Sequence, residues 1–73
     1  MNKENIIEII RIALEIDSLS IDDSSDNIEE WDSLGQLSIL SALDKETNGK
    51  ASSINGLSEM FTVREIVEEI KKL

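Results

Sequence analysis

The residues best suited to chemistry lie in the segment Glu30-Trp31-Asp32-Ser33-Leu34, where a hydroxyl group stands between an acidic segment and an amphipathic one. The first backbone N–H groups of a helix have no partner within the helix, and the helix dipole gives that end a partial positive charge. A phosphate esterified to Ser33 would therefore lie in a favourable position. The simpler interpretation is that Asp32 or Ser33 serves only as a helix N-cap, which is the commoner role of both residue types.

The chain lacks the side chains on which most catalytic sites depend. Its 73 residues include no His and no Cys. This composition excludes Ser-His-Asp and Cys-His catalysis, Cys zinc sites and disulfide bonds within the chain. We therefore expect a protein that is not an enzyme and does little chemistry with its own side chains.

The charge balance points to protein partners. Sixteen acidic and seven basic residues give a net charge of −9. Nucleic acid is disfavoured as a partner because phosphate binding relies on Lys and Arg, whereas an acidic surface attracts basic protein patches. No apolar run exceeds three residues, so we expect neither a membrane span nor a signal sequence. The protein is expected to be cytoplasmic.

Three segments have the apolar periodicity of amphipathic helices. The first covers Asn2 to Ile16, with Asn2 as its N-cap. The second begins at Asp32 or Ser33 and runs to about Thr47, before an Asn-Gly pair that suits a helix C-terminus. The last covers about Thr62 to Lys72, where Thr62 and the Glu three residues later form a capping box.

Long and short loops connect these helices. Asp17 to Asp32 contains seven acids and no base, with irregularly spaced apolar residues, and is expected to be a long loop held by apolar anchors. Lys50 to Gly56 is polar and loop-like, and Leu57 to Met60 is expected to form a short helical turn. The expected fold class is all-α: one domain spanning residues 1–73, a small bundle of three main helices plus one short helix.

The acidic loop also invites a calcium-binding interpretation. If Asp22 were the first ligand of an EF-hand, Asn27 would stand where Gly is needed and Ser33 where the bidentate Glu is required. An EF-hand is therefore rejected and no specific metal site is predicted. Weak, diffuse Mg²⁺ or Ca²⁺ binding stays open for the acids of the loop: Asp22, Asp23, Asp26, Glu29 and Glu30.

The second helix resembles that of acyl carrier proteins. In that family an Asp-Ser-Leu motif opens the helix, which continues to an Ala-Leu-acid run. The matching residues here are Asp32-Ser33-Leu34, then Leu37, Ile39, Leu40, Ala42, Leu43, Asp44 and Glu46. The segment from Met60 to Val63, with Ile66 and Ile70, is similar to the start of the family's last helix. The resemblance extends to length, acidity and order of elements, and implies an acyl-carrier-like bundle.

The resemblance also implies a cofactor. Carrier proteins receive 4′-phosphopantetheine from coenzyme A on the motif serine, here Ser33, through a phosphopantetheinyl transferase that supplies Mg²⁺ and the general base. The arm holds acyl-type intermediates as thioesters and presents them to separate biosynthetic enzymes. Asp32 would help present Ser33, and Leu34 would point inward to fix the start of the helix.

The same resemblance assigns two further sets of residues. Carrier proteins sequester acyl chains between their helices, although ordinary core packing is the simpler role for each candidate. The candidates for such a pocket are Leu37, Leu40, Leu43, Ile54, Phe61 and Ile66. The protein is expected to be a monomer. It is expected to bind basic patches on the transferase and on acyl-loading and acyl-transferring enzymes. The candidates for these contacts are Asp32, Gln36, Asp44, Glu46 and Glu59.

Three residues depart from the pattern of the members that serve fatty-acid synthesis. Those members usually carry acids where this chain has Gly35 and Ser38, and often expose Met where it has Ser41. The departures indicate a carrier for a specialised pathway, such as surface-polysaccharide, modified-lipid or secondary-metabolite assembly. The initial Met and the length favour a discrete protein. Gly35 is expected to permit close approach of the arm or of a partner.

Two alternatives stay open. The first is a discrete carrier of aminoacyl or peptidyl cargo, which would use the same arm and the same serine. The second is a helical protein-interaction module without a cofactor, which would tolerate replacement of Ser33. In such a module Trp31 would be the main contact residue, whereas in a carrier it would hold the loop against the bundle.

Overall fold

Three α-helices and two short 3-10 helices form the fold, and no strands accompany them. The computed structural model describes all of residues 1–73. The helices are α1 (Lys3–Leu14), α2 (Ser33–Glu46) and α3 (Val63–Ile70), and the 3-10 helices Lys50–Ser53 and Leu57–Glu59 lie between α2 and α3. The expected all-α fold, with a long loop before the second helix, is confirmed. None of the helices has the length and apolar character needed to cross a bilayer.

Helix α1 begins as predicted and ends two residues early. The side chain of Asn2 accepts a hydrogen bond from the backbone N–H of Asn5 at 2.8 Å. Glu15 adopts a left-handed conformation with a φ of 57°, which ends the helix and turns the chain. Arg11 then donates to the carbonyl of Ile16 at 2.8 Å and holds this turn against the helix.

Helix α3 has the N-cap that the sequence predicts. The Thr62 hydroxyl accepts a hydrogen bond from the backbone N–H of Glu65 at 3.1 Å. The helix ends at Ile70, so the prediction that it reached Lys72 was too long.

Residues of all three α-helices share one core. It also includes a tryptophan from the long loop and one residue from each 3-10 helix. Its members are Ile6, Ile10, Leu14, Trp31, Ile39, Leu43, Ala51, Leu57, Val63, Ile66, Val67 and Ile70.

The segment after α2 is more regular than the sequence indicates. The 3-10 helix Lys50–Ser53, predicted as loop, follows Gly49, which has a φ of 85°, and buries Ala51. The second 3-10 helix, Leu57–Glu59, is the predicted short turn and buries Leu57. Together they form a wall opposite one face of α2.

The long loop is fixed to the chain just before α3. The backbone N–H of Ser25 donates to the carbonyl of Phe61 at 2.9 Å, and the N–H of Val63 donates to the carbonyl of Asp23 at 3.0 Å. Partly buried apolar anchors pack along the rest of the loop, as predicted: Leu19, Ile21 and Ile28. These contacts set the position from which the chain enters α2.

Candidate functional site

Asp32 is the N-cap of α2. Its carboxylate accepts a hydrogen bond from the backbone N–H of Gly35 at 2.9 Å, and its carbonyl accepts one from the N–H of Gln36. Of the two residues that could have capped the helix, Asp32 therefore takes the role. Such a cap stabilises a helix by about 1 kcal/mol.

Ser33 is the first residue of α2, and its side chain is exposed. Its hydroxyl makes no hydrogen bond within the chain, because the cap bond belongs to Asp32. The backbone N–H groups of Ser33 and Leu34 likewise have no acceptor in the chain. No acid lies in the first turn of the helix. The structure thus presents a free hydroxyl beside two free N–H donors at the positive end of a helix.

A buried hydrogen-bond network supports this helix start. Trp31 is 2% exposed, and its indole N–H donates to the Gln36 side-chain carbonyl at 2.6 Å. The Gln36 amide in turn donates to the carbonyls of Ser58 at 3.1 Å and Met60 at 3.0 Å. Trp31 therefore holds the end of the loop against the bundle, as the sequence predicts for a carrier.

The assignment of Gln36 to a partner surface was wrong. Gln36 is only 5% exposed, because it occupies the same side of α2 as the core residues Ile39 and Leu43. Both ends of its amide are used inside the protein.

Gly35 allows close packing within the chain. A Cβ atom at this position would lie 2.3 Å from the carbonyl oxygen of Glu30 and 3.0 Å from a methyl carbon of Leu14. The expectation that Gly35 admits the arm or a partner was therefore wrong. The space beside it is filled by the loop backbone and by α1.

Leu34 does not point inward as expected. It is 74% exposed, because α2 turns about 100° per residue and places position 34 about 140° from Ile39, which faces the core. Leu37 is also largely exposed, at 62%. The first two turns of α2 thus present apolar side chains, and no acids, to solvent.

A cavity of about 430 Å³ lies between α2 and the two 3-10 helices. Three of the predicted pocket residues line it: Leu37, Leu40 and Ile54. Leu43 and Ile66 are instead fully buried core residues, which is the simpler role considered for them. Phe61 is 42% exposed and does not line the cavity.

The cavity lies on the same stripe of α2 as Ser33. At about 100° per residue, Leu37, Leu40 and Asp44 all fall within about 40° of the direction of Ser33. Asp44 lies three turns along the helix, about 16 Å from Ser33 along the axis. A group attached to the Ser33 oxygen would therefore lie in line with the cavity.

Sequence reasoning missed the polar part of this cavity. Ser41, Ser52, Ser58 and the carboxylate-bearing Asp44 contribute to its lining. Helical spacing could have revealed the side of the cavity that α2 provides, which consists of Leu37, Leu40, Ser41 and Asp44. Among the other acids predicted for partner contacts, Asp32, Glu46 and Glu59 are exposed.

One acid of the long loop, Asp23, stabilises the turns of that loop. The Asp23 carboxylate accepts hydrogen bonds from the Asn27 side chain at 2.7 Å and the Ser20 backbone N–H at 2.8 Å. The Asn27 bond, followed by the Ser20 bond, holds the pKa of Asp23 below its ordinary value. No three acidic side chains of the protein converge as ligands for a metal ion.

We expect Asp23→Asn to weaken the loop in a pH-dependent way. A carboxylate whose pKa is lowered by folding contributes stability above its unfolded pKa of about 3.9 and loses that contribution as the pH falls through the folded value. The variant should therefore be less stable than the wild type at pH 7, by about 0.5–1 kcal/mol. The difference in unfolding free energy, measured by urea unfolding, should be smaller below pH 4 than at pH 7. An equal difference at both pH values would contradict the assignment.

The arrangement suits transfer of a group to the Ser33 oxygen by another protein. The hydroxyl is accessible, but no His is present to act as a base, and the neighbouring Asp32 carboxylate is engaged in its cap bond. Compared with protein-family models, with curated proteins and with solved structures, the chain shows no match.

Proposed function

We propose that this chain is a non-catalytic carrier whose Ser33 receives 4′-phosphopantetheine from coenzyme A. The single observation that carries the proposal is that Asp32 fills the cap position and leaves the Ser33 hydroxyl exposed and without a partner. A serine needed only for capping would make the cap bond itself. The resemblance of Asp32-Ser33-Leu34 and the following helix to acyl carrier proteins agrees with this role.

The residues around Ser33 fit such a group. The Ser33 oxygen would attack the β-phosphorus of coenzyme A and lose its proton to a base of the transferase, while the pyrophosphate P–O bond breaks and adenosine 3′,5′-bisphosphate leaves. The free N–H groups of Ser33 and Leu34 suit the charge of the phosphate that stays on Ser33. When bound, the group supplies the thiol that carries acyl intermediates as thioesters, which a chain without Cys otherwise lacks. The cavity in line with Ser33 offers apolar surface to the carried group through Leu37, Leu40 and Ile54.

The surface around Ser33 suggests how partners bind. Leu34 and Leu37 are exposed and offer apolar contact close to the attachment point. The exposed acids Asp44, Glu46 and Glu59 would meet basic patches of the transferase and of the acyl-handling enzymes. Because the first turn of α2 carries no acid, we assign the chain to a specialised pathway rather than to general fatty-acid synthesis.

A cofactor-free interaction module is the second candidate, and the exposed Leu34 and Leu37 favour it. Trp31, the expected contact residue of such a module, is buried and bonded to Gln36. The two candidates differ in what they require of Ser33. A module keeps its function without the hydroxyl, whereas a carrier loses it.

Paired variants of Asp32 and Ser33 test the proposal. We expect Ser33→Ala to abolish modification by a phosphopantetheinyl transferase, with a change in unfolding free energy below about 0.5 kcal/mol. Asp32→Ala should lower the unfolding free energy by about 1 kcal/mol, because it removes the cap. Intact mass after incubation with coenzyme A, Mg²⁺ and the transferase measures the loss of modification. Urea unfolding measures the loss of stability.

Ser38→Ala is the matched control, because Ser38 is another exposed serine of α2. It should be modified as readily as the wild type. Modification that survives in Ser33→Ala, or that is lost in Ser38→Ala, would contradict the assignment of Ser33.

A further inference from the structure

We propose that Asn55 is a site of spontaneous covalent modification, at which the side-chain amide is lost through attack by the backbone nitrogen of Gly56. The chain contains a second Asn-Gly pair at Asn48 and Gly49, which the fold protects. Glycine hinders such an attack least, because it has no side chain. The product places a carboxylate in the wall of the cavity beside α2. This inference does not depend on the carrier function.

The reaction needs only water besides the chain itself. The Gly56 nitrogen attacks the side-chain carbonyl carbon of Asn55, and the new C–N bond closes a succinimide ring. The C–N bond of the side-chain amide breaks, and ammonia leaves with the proton that the Gly56 nitrogen has lost. Water then opens the ring at one of its two carbonyls, which gives either aspartate or isoaspartate. Each product makes the chain one charge more negative than −9.

At the protected pair, the nitrogen that would attack is held in the C-terminal cap of α2. The Gly49 N–H donates to the carbonyl of Asp44 at 2.8 Å, after Asn48 has turned the chain with a φ of 56°. The next turn is tied to the same helix end, because the Ala51 N–H donates to the Thr47 hydroxyl at 2.9 Å. Attack by the Gly49 nitrogen therefore requires the end of α2 to open first.

At the reactive pair, the corresponding nitrogen is free. The Gly56 N–H has no acceptor in the chain, and both Asn55 and Gly56 are exposed. The φ of 78° and ψ of 3° at Gly56 are those of the third residue of a type II turn. The bond that closes this turn, from the Leu57 N–H to the carbonyl of Ile54, is long at 3.4 Å. Rotation of the Gly56 nitrogen towards the Asn55 side chain therefore costs at most one weak turn bond.

The modification changes the wall of the cavity. Gly56 lines the cavity together with Ile54 and Leu57. Isoaspartate inserts an extra carbon atom into the backbone directly before Gly56, and Leu57, which follows, is only 5% exposed. The isoaspartate form should therefore be less stable than the aspartate form, which the variant Asn55→Asp reproduces. Urea unfolding of the separated products measures this difference.

Incubation of the folded protein at mildly alkaline pH tests the proposal. Intact mass follows the replacement of NH₂ by OH, and peptide mapping assigns it to a residue. We expect Asn55 to react about tenfold faster than Asn48, because one hydrogen-bonded helix end protects the second site. The variants Asn55→Gln and Asn48→Gln are the matched pair, since glutamine would have to close a larger and less favourable ring. Most of the mass gain should vanish in Asn55→Gln and persist in Asn48→Gln.

The same incubation in urea shows whether the fold causes the difference. Without the cap of α2, both Asn-Gly pairs are open to attack, and the two rates should become similar. Equal rates in the folded protein, or a faster reaction at Asn48, would overturn the inference. A folded protein that stays unmodified at Asn55, over a time in which the unfolded chain reacts at both sites, would also overturn it.

Discussion

Gly35→Ala is expected to destabilise the protein by about 2–3 kcal/mol, although alanine is the better helix former by about 1 kcal/mol. The added Cβ would lie 2.3 Å from the carbonyl oxygen of Glu30. That atom belongs to the backbone of a loop segment held by the buried Trp31, so it cannot move aside as a flexible side chain could. Relief of the clash requires α2 to shift away from the loop and from Leu14.

Urea unfolding followed by the fluorescence of Trp31, the protein's one tryptophan, measures the effect. Gly56→Ala is the control, because Gly56 has a φ of 78° and no atom within 4 Å of an added Cβ. That variant should lose only the cost of a left-handed alanine, about 1–2 kcal/mol. A Gly35→Ala protein as stable as the wild type, or more stable, would show that helix propensity decides at this position and that the close contact does not.

Gln36→Leu is expected to destabilise the protein by about 3 kcal/mol. The substitution removes the acceptor of the Trp31 indole N–H and the donor to the carbonyls of Ser58 and Met60. One buried and two partly buried polar groups would then lose a partner. Each such loss costs about 1–3 kcal/mol, with the lower end applying to the partly buried carbonyls, and the apolar leucine offsets part of it. The same change should alter the emission of Trp31.

Gln36→Glu adds a test of the network through pH. The introduced carboxylate can still accept from Trp31, but in its charged form it repels the two carbonyls that Gln36 now binds. Burial raises the pKa of such a group, so the folded state favours its protonated form. The deficit relative to the wild type should therefore be small at low pH and grow as the pH rises through the raised pKa.

A double-mutant cycle of Gln36→Leu with Trp31→Phe isolates the indole bond. We expect the combined loss to be smaller than the sum of the single losses, because Trp31→Phe removes the group that Gln36→Leu leaves without an acceptor. Strictly additive losses, or a deficit of Gln36→Glu that does not change with pH, would contradict the network.

The sequence was sufficient to predict features that depend on residues close together along the chain. Asn2 and Thr62 cap their helices as predicted, since a cap bond spans three residues. The apolar periodicity placed all three α-helices to within two residues at each end. The same reasoning narrowed the N-cap of α2 to two adjacent residues, and only the geometry decided for Asp32.

The misassignments at Leu34, Gly35 and Gln36 have a common physical origin. The sequence gives residue types, but the side of α2 that faces the core depends on how the long loop and α1 pack against it. Spacing from Ile39 was a partial signal, since Gln36 lies three residues and Gly35 four residues before that buried position. Two of the three side-chain bonds of Gln36 join residues 22 and 24 positions apart, and no local pattern predicts them.

The cavity was likewise only partly predictable from the sequence. Leu37, Leu40 and Asp44 share a helix face that periodicity reveals, but the opposite wall comes from the 3-10 helices. Lys50–Ser53 was predicted as part of a loop because Lys50 to Gly56 is polar, and so short a 3-10 helix leaves no usable period in the sequence. Asp44 was accordingly assigned to the partner surface alone, and its place in the cavity lining emerged only from the fold.

The most direct test of the central claim is the intact mass and thiol content of the wild-type protein. Both are measured before and after incubation with coenzyme A, Mg²⁺ and a broad-specificity phosphopantetheinyl transferase. Because the chain has no Cys, its own thiol background is zero. The carrier function predicts a gain of one phosphopantetheine mass and one free thiol, with peptide mapping to Ser33. No gain, under conditions in which the same transferase fully modifies an established carrier protein, would contradict it.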